Sequence, residues 1–267
     1  MSTRKPKKYI MDKFALYEQS VQDPESDIDF IGRTFKKKKF RTPLAMREDF
    51  CGTAKLCAAW AHSHEKRTAV GLDLHKKTLA YGHKHHIASL PLDEQNRVRL
   101  LARDVLVGTK ELFDCIVAYN FSYCVFNSRL LLKQYFSQVH KNLRAHGAFF
   151  IDLQGGEETQ KTMQESTRHG HFTYIWDQRD MDAVTARAKR YIHFRLKDGA
   201  KIERAFTYDW RVWTLPEIRD LLDDVGFKQV DVYWEWSDKK GAGSGIYRRV
   251  EHAKNNLSWV AVLVAWR

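Results

Sequence analysis

Short apolar runs alternate with amphipathic ones through the middle of the chain. After a lead-in at Pro43 to Met46, residues Ala54 to Ala61 place Leu56, Ala59 and Trp60 as the apolar positions of a helix. Thr68 to Leu74 has the length and composition of a buried strand. His75 to Ser89 reads as a helix carrying Leu79, Tyr81 and Ile87. Val98 to Ala102 and Phe113 to Tyr119 are further strands, Leu130 to Leu143 is a helix stopped at His146-Gly147, and Ala148 to Leu153 is a fifth strand. This alternation predicts a mostly parallel sheet covered on both faces, with the carboxyl ends of the strands along one ligand-binding edge. Upstream, residues 9 to 35 mix charged and apolar positions, with Tyr9, Ile10, Phe14, Leu16 and Tyr17 early, and predict one or two short helices broken near Pro24.

The pattern changes after Gly156. Residues 171 to 210 are rich in Tyr, Phe, Thr and Arg without a helical period, and Asp198-Gly199 separates two strand-like runs, Arg190 to Leu196 and Lys201 to Tyr208. Asp-Gly between such runs is a hairpin signal, so an antiparallel insertion is expected at about 157–212, lying over the ligand edge. Thr214-Leu215-Pro216-Glu217 opens a capped helix with Ile218, Leu221, Leu222 and Val225 on one face and a stop at Gly226. Val230 to Trp236 and Trp259 to Ala265 are the last two strands expected. The three glycines between Ser237 and Gly245 predict a mobile loop there.

Composition narrows the class. The 267 residues fit one large domain or a domain with an insertion, and 43% hydrophobic residues suffice for a core. The formal charge of +12 admits anionic partners, including RNA and DNA, but much of the excess sits in two runs, Arg4 to Lys8 and Lys36 to Lys39 with Arg41. The simpler reading of the two runs is a frayed N-terminus and a solvated loop. Cys51, Cys57, Cys115 and Cys124 lie in apolar segments without a CxxC pair, which predicts buried thiols in a reducing compartment and neither zinc nor a disulfide framework. No run reaches membrane-spanning length and no signal peptide opens the chain, so a cytoplasmic protein is expected. In His83-Lys84-His85-His86 only His83 and His86 share a helix face, and the sequence offers them no carboxylate or cysteine partner. A solvated basic face, with no metal, is the expectation.

The candidate chemistry begins at Arg47-Glu48-Asp49-Phe50-Cys51-Gly52-Thr53-Ala54, where a strand should end and a helix begin. A carboxylate, Asp73, ends the next strand twenty-one positions after Gly52. A pyrophosphate cradle needs three spaced glycines, and a P-loop needs a Gly-Lys-Ser/Thr; this loop supplies only Gly52. Further along, Arg103-Asp104-Val105 follows the third strand and Asn120-Phe121-Ser122-Tyr123 ends the fourth. In this order and spacing, residues 40 to 155, and more loosely 205 to 267, resemble class I S-adenosylmethionine-dependent methyltransferases of the small-molecule type.

That resemblance implies an α/β, Rossmann-like, seven-stranded mixed sheet with an antiparallel last strand, an antiparallel β-insertion, and an N-terminal basic, helical lid over residues 1–42, the methyltransferase domain filling 43–267. It implies S-adenosyl-L-methionine as cofactor and S-adenosyl-L-homocysteine as product. Cys51-Gly52-Thr53, flanked by Glu48 and Phe50, would bring backbone close to the methionine part. Asp73 would accept from the ribose hydroxyls, Asp104 and the Val105 N–H would meet adenine, and Leu74 and Phe121 would pack against it. Asn120 would sit near the transferred methyl, and Arg47 or Tyr17 would bind the cofactor carboxylate. Phe50 and Ala54 stand where the family carries glycine, so Phe50 must point into the core if the loop is to stay open.

The expected reaction is methyl transfer to N or O of a small molecule by in-line displacement, which demands orientation and excluded water more than a catalytic triad. Asn120, Tyr123, Tyr208 and Arg211 are the candidates for contacting the acceptor, Tyr208 and Arg211 because they precede the capped helix. Nucleic acid as acceptor is the first rival reading, raised by the charge and by the resemblance of Asn120 to Tyr123 to the Asn-Pro-Pro-Tyr of base amino-methyltransferases, without its prolines. A non-catalytic cofactor-binding protein and a nicotinamide-dependent oxidoreductase are the others. A monomer or homodimer is expected.

Overall fold

The computed structural model describes residues 12–237 and 243–267. The basic run Arg4 to Lys8, Tyr9, Ile10 and most of the loop expected at 237–245 lie outside these residues. Helix α1 (Lys13–Val21) ends just before Pro24, which takes the first position of α2 (Pro24–Lys39). Asp23 caps α2, its side chain accepting from Ser26 N at 3.2 Å. Proline at that position gives up an N–H that would have no helical partner, so the sequence breaks and restarts the helix at little cost.

The alternating pattern then unfolds as expected: β1 (Ala45–Asp49), α3 (Lys55–His62), β2 (Thr68–Asp73), α4 (Lys76–Gly82) continuing into a π-helical turn at His83–Ile87, α5 (Leu92–Gln95), β3 (Val98–Ala102), β4 (Phe113–Ala118), a 3-10 turn at Ser122–Val125, α6 (Arg129–Asn142) and β5 (Leu143–Gly155). Four antiparallel strands follow, β6 (Met163–His169), β7 (Phe172–Gln178), β8 (Arg187–Leu196) and β9 (Lys201–Arg211). The chain closes with α7 (Leu215–Asp224), β10 (Gln229–Ser237), β11 (Gly243–Val250) and β12 (Trp259–Trp266).

The main sheet has the order β11-β10-β12-β5-β4-β1-β2-β3, with β12 antiparallel to both its neighbours. That is the mixed α/β sheet expected, one strand larger. The additional strand, β11, is exposed and polar, and pairs with β10 through its backbone (Tyr233 with Arg249, Trp234 with Arg248). Strand period splits the sheet's residues between two cores. Ile116, Phe149, Ile151 and Leu263 face α6 and α7, whereas Met46, Cys115, Phe150 and Val264 face α2 and α3 with Ile31, Phe35 and Trp60. Helix α2 is therefore one of the layers of the fold, and α1 alone reaches across to the insertion, through Leu16.

The insertion is a four-stranded sheet, β6-β7-β8-β9, where the sequence showed only its last hairpin. That hairpin turns at Asp198-Gly199, with Gly199 at φ 85°. Its inner face is set by parity: Tyr174, Trp176, Ile192, Phe194, Phe206, Tyr208 and Trp210 alternate with residues of the outer face, of which Arg195, Thr207 and Asp209 are exposed.

Candidate active site

Two turns leave the carboxyl edge of the main sheet, and both run through left-handed backbone. After β1, Phe50, Gly52 and Ala54 have φ of 57°, 52° and 55°; after β4, Asn120 and Phe121 have 58° and 55°. Left-handed backbone costs a non-glycine residue roughly 1–2 kcal/mol, and such residues gather at binding sites because the surroundings hold them there. Here the holding groups are carboxylates from neighbouring strands. Asp73 accepts from Gly52 N at 3.0 Å and from His75 N at 2.7 Å. Asp152, on β5, accepts from Asn120 N at 2.7 Å and Phe121 N at 2.8 Å.

The first turn is open. Phe50 points into the core against Tyr135 and Phe126, at 5.6 and 6.0 Å between ring centroids. A Cβ on Gly52 would meet nothing within 4 Å. Beside the turn, Leu74 is 64% exposed, and Asp73 and Asp104 end adjacent strands, joined by the Arg103 N to Asp73 O bond of 3.0 Å. Asp104 accepts from Leu106 N at 2.9 Å, and Val105 is buried next to it. Gly82, which the sequence reading passed over, lets α4 press on the Thr53 backbone, where any Cβ would collide. The first turn, Asp73, Leu74 and Asp104 thus share one stretch of edge with exposed apolar surface, carboxylates and strained backbone. This fits a nucleoside cofactor without a pyrophosphate.

Glu48 lies beneath the turn. Its carboxyl accepts from Cys57 N at 3.2 Å, and burial pushes its pKa up to about 8. Helix α1 crosses above: Glu18 meets His86 at 2.7 Å, and Lys55 reaches the Glu18 carbonyl at 3.5 Å. His86 therefore has a carboxylate partner that the local sequence did not reveal, and His85 stacks on Tyr81 at 4.2 Å. Among the described residues no three His, Cys, Asp or Glu side chains group as metal ligands.

The second turn opens on a pocket of about 220 Å³ lined by Tyr17, Asn120, Phe121, Gln154, Tyr208 and Trp210, among others. Tyr174, Trp176 and Ile192 from the insertion and Val21 from α1 complete its apolar wall, and Glu165 stands at its side. The rings touch: Tyr208 and Trp210 at 4.5 Å, Trp176 and Trp210 at 6.0 Å, Phe121 edge-on to Trp210 at 6.4 Å. The Tyr208 and Tyr17 hydroxyls feel one another, and burial pushes the Tyr17 pKa up to about 12.

Four expected placements change. Arg47 is fully buried on the opposite face of β1, where Nε meets Asp49 Oδ1 at 2.8 Å and a second nitrogen donates to Asn142 Oδ1 at 2.6 Å; it is turned away from any cofactor carboxylate. Phe121 is found in the wall of the aromatic pocket, edge-on to Trp210. Tyr123 is fully buried in the core and does not line the aromatic pocket. Arg211 stacks on Trp213 at 3.8 Å and pairs with Glu217 at 3.1 Å, so it secures the start of α7. The Lys36–Lys39 run, expected as a solvated loop, is the last turn of α2. Near it a groove of about 700 Å³ is lined by Arg33, Lys37, Lys38, Arg248 and Arg249, with Asp231 and Tyr247. No helix among the described residues is long and apolar enough to cross a membrane.

No known family's model matches the sequence, and no curated protein matches it. Solved structures do. An S-adenosylmethionine-dependent methyltransferase from Clostridium acetobutylicum superimposes with a TM-score of 0.68 at 17% identity, over 94% of this chain and 97% of that one. An amino pentose methyltransferase from Micromonospora echinaspora, solved with S-adenosylmethionine bound, gives 0.67 at 13%, over 97% and 98%. A sugar N-methyltransferase from Streptoalloteichus gives 0.63 at 12%, over 96% and 93%. The match in each case extends over the insertion as well as the main sheet, and it is a likeness of fold.

Proposed function

We propose that this protein is an S-adenosylmethionine-dependent methyltransferase acting on N or O of a small molecule. The observation that carries the reading is the position of Asn120 and Phe121. One two-residue turn both ends β4, beside the β1 turn and Asp73, and lines the aromatic pocket, so a cofactor on the edge and an acceptor in the pocket would be neighbours.

When bound, the cofactor supplies a methyl group on a sulfonium whose leaving group is a neutral thioether. Asp73 would hold the ribose hydroxyls as a charge-assisted acceptor, Leu74 and Asp104 the adenine, and the Cys51–Thr53 backbone with Glu48 the methionine end. Tyr17 and α1 would close over both ligands and exclude water. The pocket is smaller than the roughly 300–1,000 Å³ of drug-sized sites, which suits a single ring.

The test is transfer of a labelled methyl from S-adenosylmethionine to a metabolite extract and, separately, to an RNA fraction. Label in low-molecular-weight products, lost in Asp73→Ala, is expected. Label confined to RNA would move the acceptor to the rival class. Tight S-adenosylhomocysteine binding with no product in either fraction would favour a non-catalytic binder.

A further inference from the structure

Asp152 lies directly behind the Asn120–Phe121 turn, and among the described residues it has no ion-pair partner. Parallel register places Glu48, Val117 and Phe150 on one face of the sheet, so Tyr119 and Asp152, two residues on, share that face at the carboxyl edge. Asp27 comes down from α2, one turn before the buried Ile31. Ionisable groups that feel the Asp152 charge include Tyr17 on α1, Asp27 on α2, Tyr119 on β4, Tyr123 and Cys124 in the 3-10 turn and Tyr247 on β11. These six are acids. Among the described residues neither Asp152 nor Asp27 enters an ion pair, in a chain whose net charge is +12. The Tyr119 hydroxyl is buried there without a hydrogen-bond partner.

Burial raises both Asp152 and Asp27 to about 7, although neither side chain is wholly enclosed. An uncompensated pair of carboxylates beside an aromatic pocket is costly unless a cation visits it. The nearest protein donors to Asp152 are the Asn120 and Phe121 N–H groups, and those two residues form the pocket wall. Aromatic faces and a carboxylate together select an ammonium over a hydroxyl.

We infer that the acceptor enters as an ammonium, with Asp152, backed by Asp27, as its counter-ion and then its proton acceptor. This rests on the methyltransferase reading and narrows its acceptor atom to nitrogen. The step balances as R–NH₃⁺ plus the Asp152 carboxylate giving R–NH₂ plus the Asp152 carboxylic acid: an N–H bond breaks, an O–H bond forms, and the nitrogen lone pair is freed. An acid near pH 7 takes that proton far more readily than an ordinary aspartate.

The test is calorimetric, on protein saturated with S-adenosylhomocysteine. Two pairs of probes differ in one atom: phenethylamine against 2-phenylethanol, and glucosamine against glucose. At pH 8 at least one amine should bind about tenfold more tightly than its alcohol, as a charge-assisted contact requires. That preference should fade as the pH drops through about 7 and Asp152 is protonated from solvent. Asp152→Asn should abolish it while S-adenosylhomocysteine affinity stays within about threefold of wild type. Asp27→Asn leaves the turn's anchor in place; it should weaken the amine a few-fold and move the half-point to lower pH, because a like charge next to Asp152 has gone. A carboxylate that only anchors the turn gives no such shift. Equal binding within both pairs, an intact preference in Asp152→Asn, or parallel loss of cofactor and amine in that variant overturns the inference. Wild-type protein that fails to bind S-adenosylhomocysteine sinks the methyltransferase reading instead.

Discussion

The turns after β1 and β4 are built alike and placed differently. Each leaves the sheet through left-handed residues, and each has its peptide N–H groups tied to a carboxylate from another strand. At the first turn the carboxylate is Asp73, which ends its strand at the open edge beside the exposed Leu74. At the second it is Asp152, within its strand, sunk among acids and pushed up to about 7. The same local device therefore sets one carboxylate at the exposed edge and the other where burial raises its pKa. Depth of burial, more than the hydrogen bonds to the turn, separates the two.

The contrast is broken most severely from underneath the first turn. Arg47 and Asp49 form a buried pair joined by Asn142 and by the Tyr135 hydroxyl, which donates to Asp49 at 3.0 Å. Arg47→Ala strands a buried carboxylate, so a loss of about 3–5 kcal/mol in unfolding free energy is expected. Denaturant unfolding measures it. If Arg47 instead holds the cofactor carboxylate, the same variant would lose cofactor affinity with stability intact.

Next in size is Asp73→Ala, which removes two charge-assisted bonds to the ribose at about 1.5–3 kcal/mol each and should cut S-adenosylhomocysteine affinity by at least about a hundredfold. The fold should survive, because Asp73 is half-exposed and its partners are N–H groups that water can satisfy. Wild-type affinity in this variant would remove the first turn from the cofactor site altogether.

The first turn was legible because its glycine, its downstream Asp73 and the helix after it are local signals. The capped helix α7 and the Asp198-Gly199 hairpin were legible for the same reason. Asp152 was not: in Phe149-Phe150-Ile151-Asp152-Leu153 it reads as one polar residue in a buried strand, and only strand register shows what it faces. Strands β6 and β11 were missed because edge strands pair through backbone and carry no apolar alternation. Arg47 was misplaced by reading charge before parity, since a strand that turns Glu48 toward the α3 side must turn Arg47 the other way. Tyr123 and Arg211 were drawn to the pocket by sequence proximity to it, whereas a one-residue change of direction sends each into packing.

A milder test concerns the buried acid beneath the first turn. Glu48 stands at about 8 against an ordinary value of 4.5. A raised acid favours the folded state while protonated, so its contribution is complete below about 4.5 and is lost as pH rises through 8. Thermal unfolding from pH 5 to pH 9 should show wild type losing stability, and Glu48→Gln, which keeps an acceptor for Cys57 N, losing less of it. A difference between the two proteins that does not change with pH would mean that Glu48 is already ionised beneath the first turn.

The smallest expected effect compares the backbones of the two turns directly. Ala54 and Asn120 have nearly the same φ, 55° and 58°. Alanine carries the full left-handed penalty of roughly 1–2 kcal/mol, while asparagine visits that region readily. Glycine relieves the strain at either position but adds about 0.5–1 kcal/mol of unfolded-chain entropy to be lost on folding. Ala54→Gly should therefore be neutral to stabilising by about 1 kcal/mol, raising the unfolding temperature by about 2–4 °C, and Asn120→Gly should be neutral to destabilising by a similar amount. Opposite signs from two glycines at matching φ would locate the strain in the first turn. Equal signs would mean that Asp152, by binding the Asn120 and Phe121 N–H groups, compensates the second turn no better than Asp73 compensates the first.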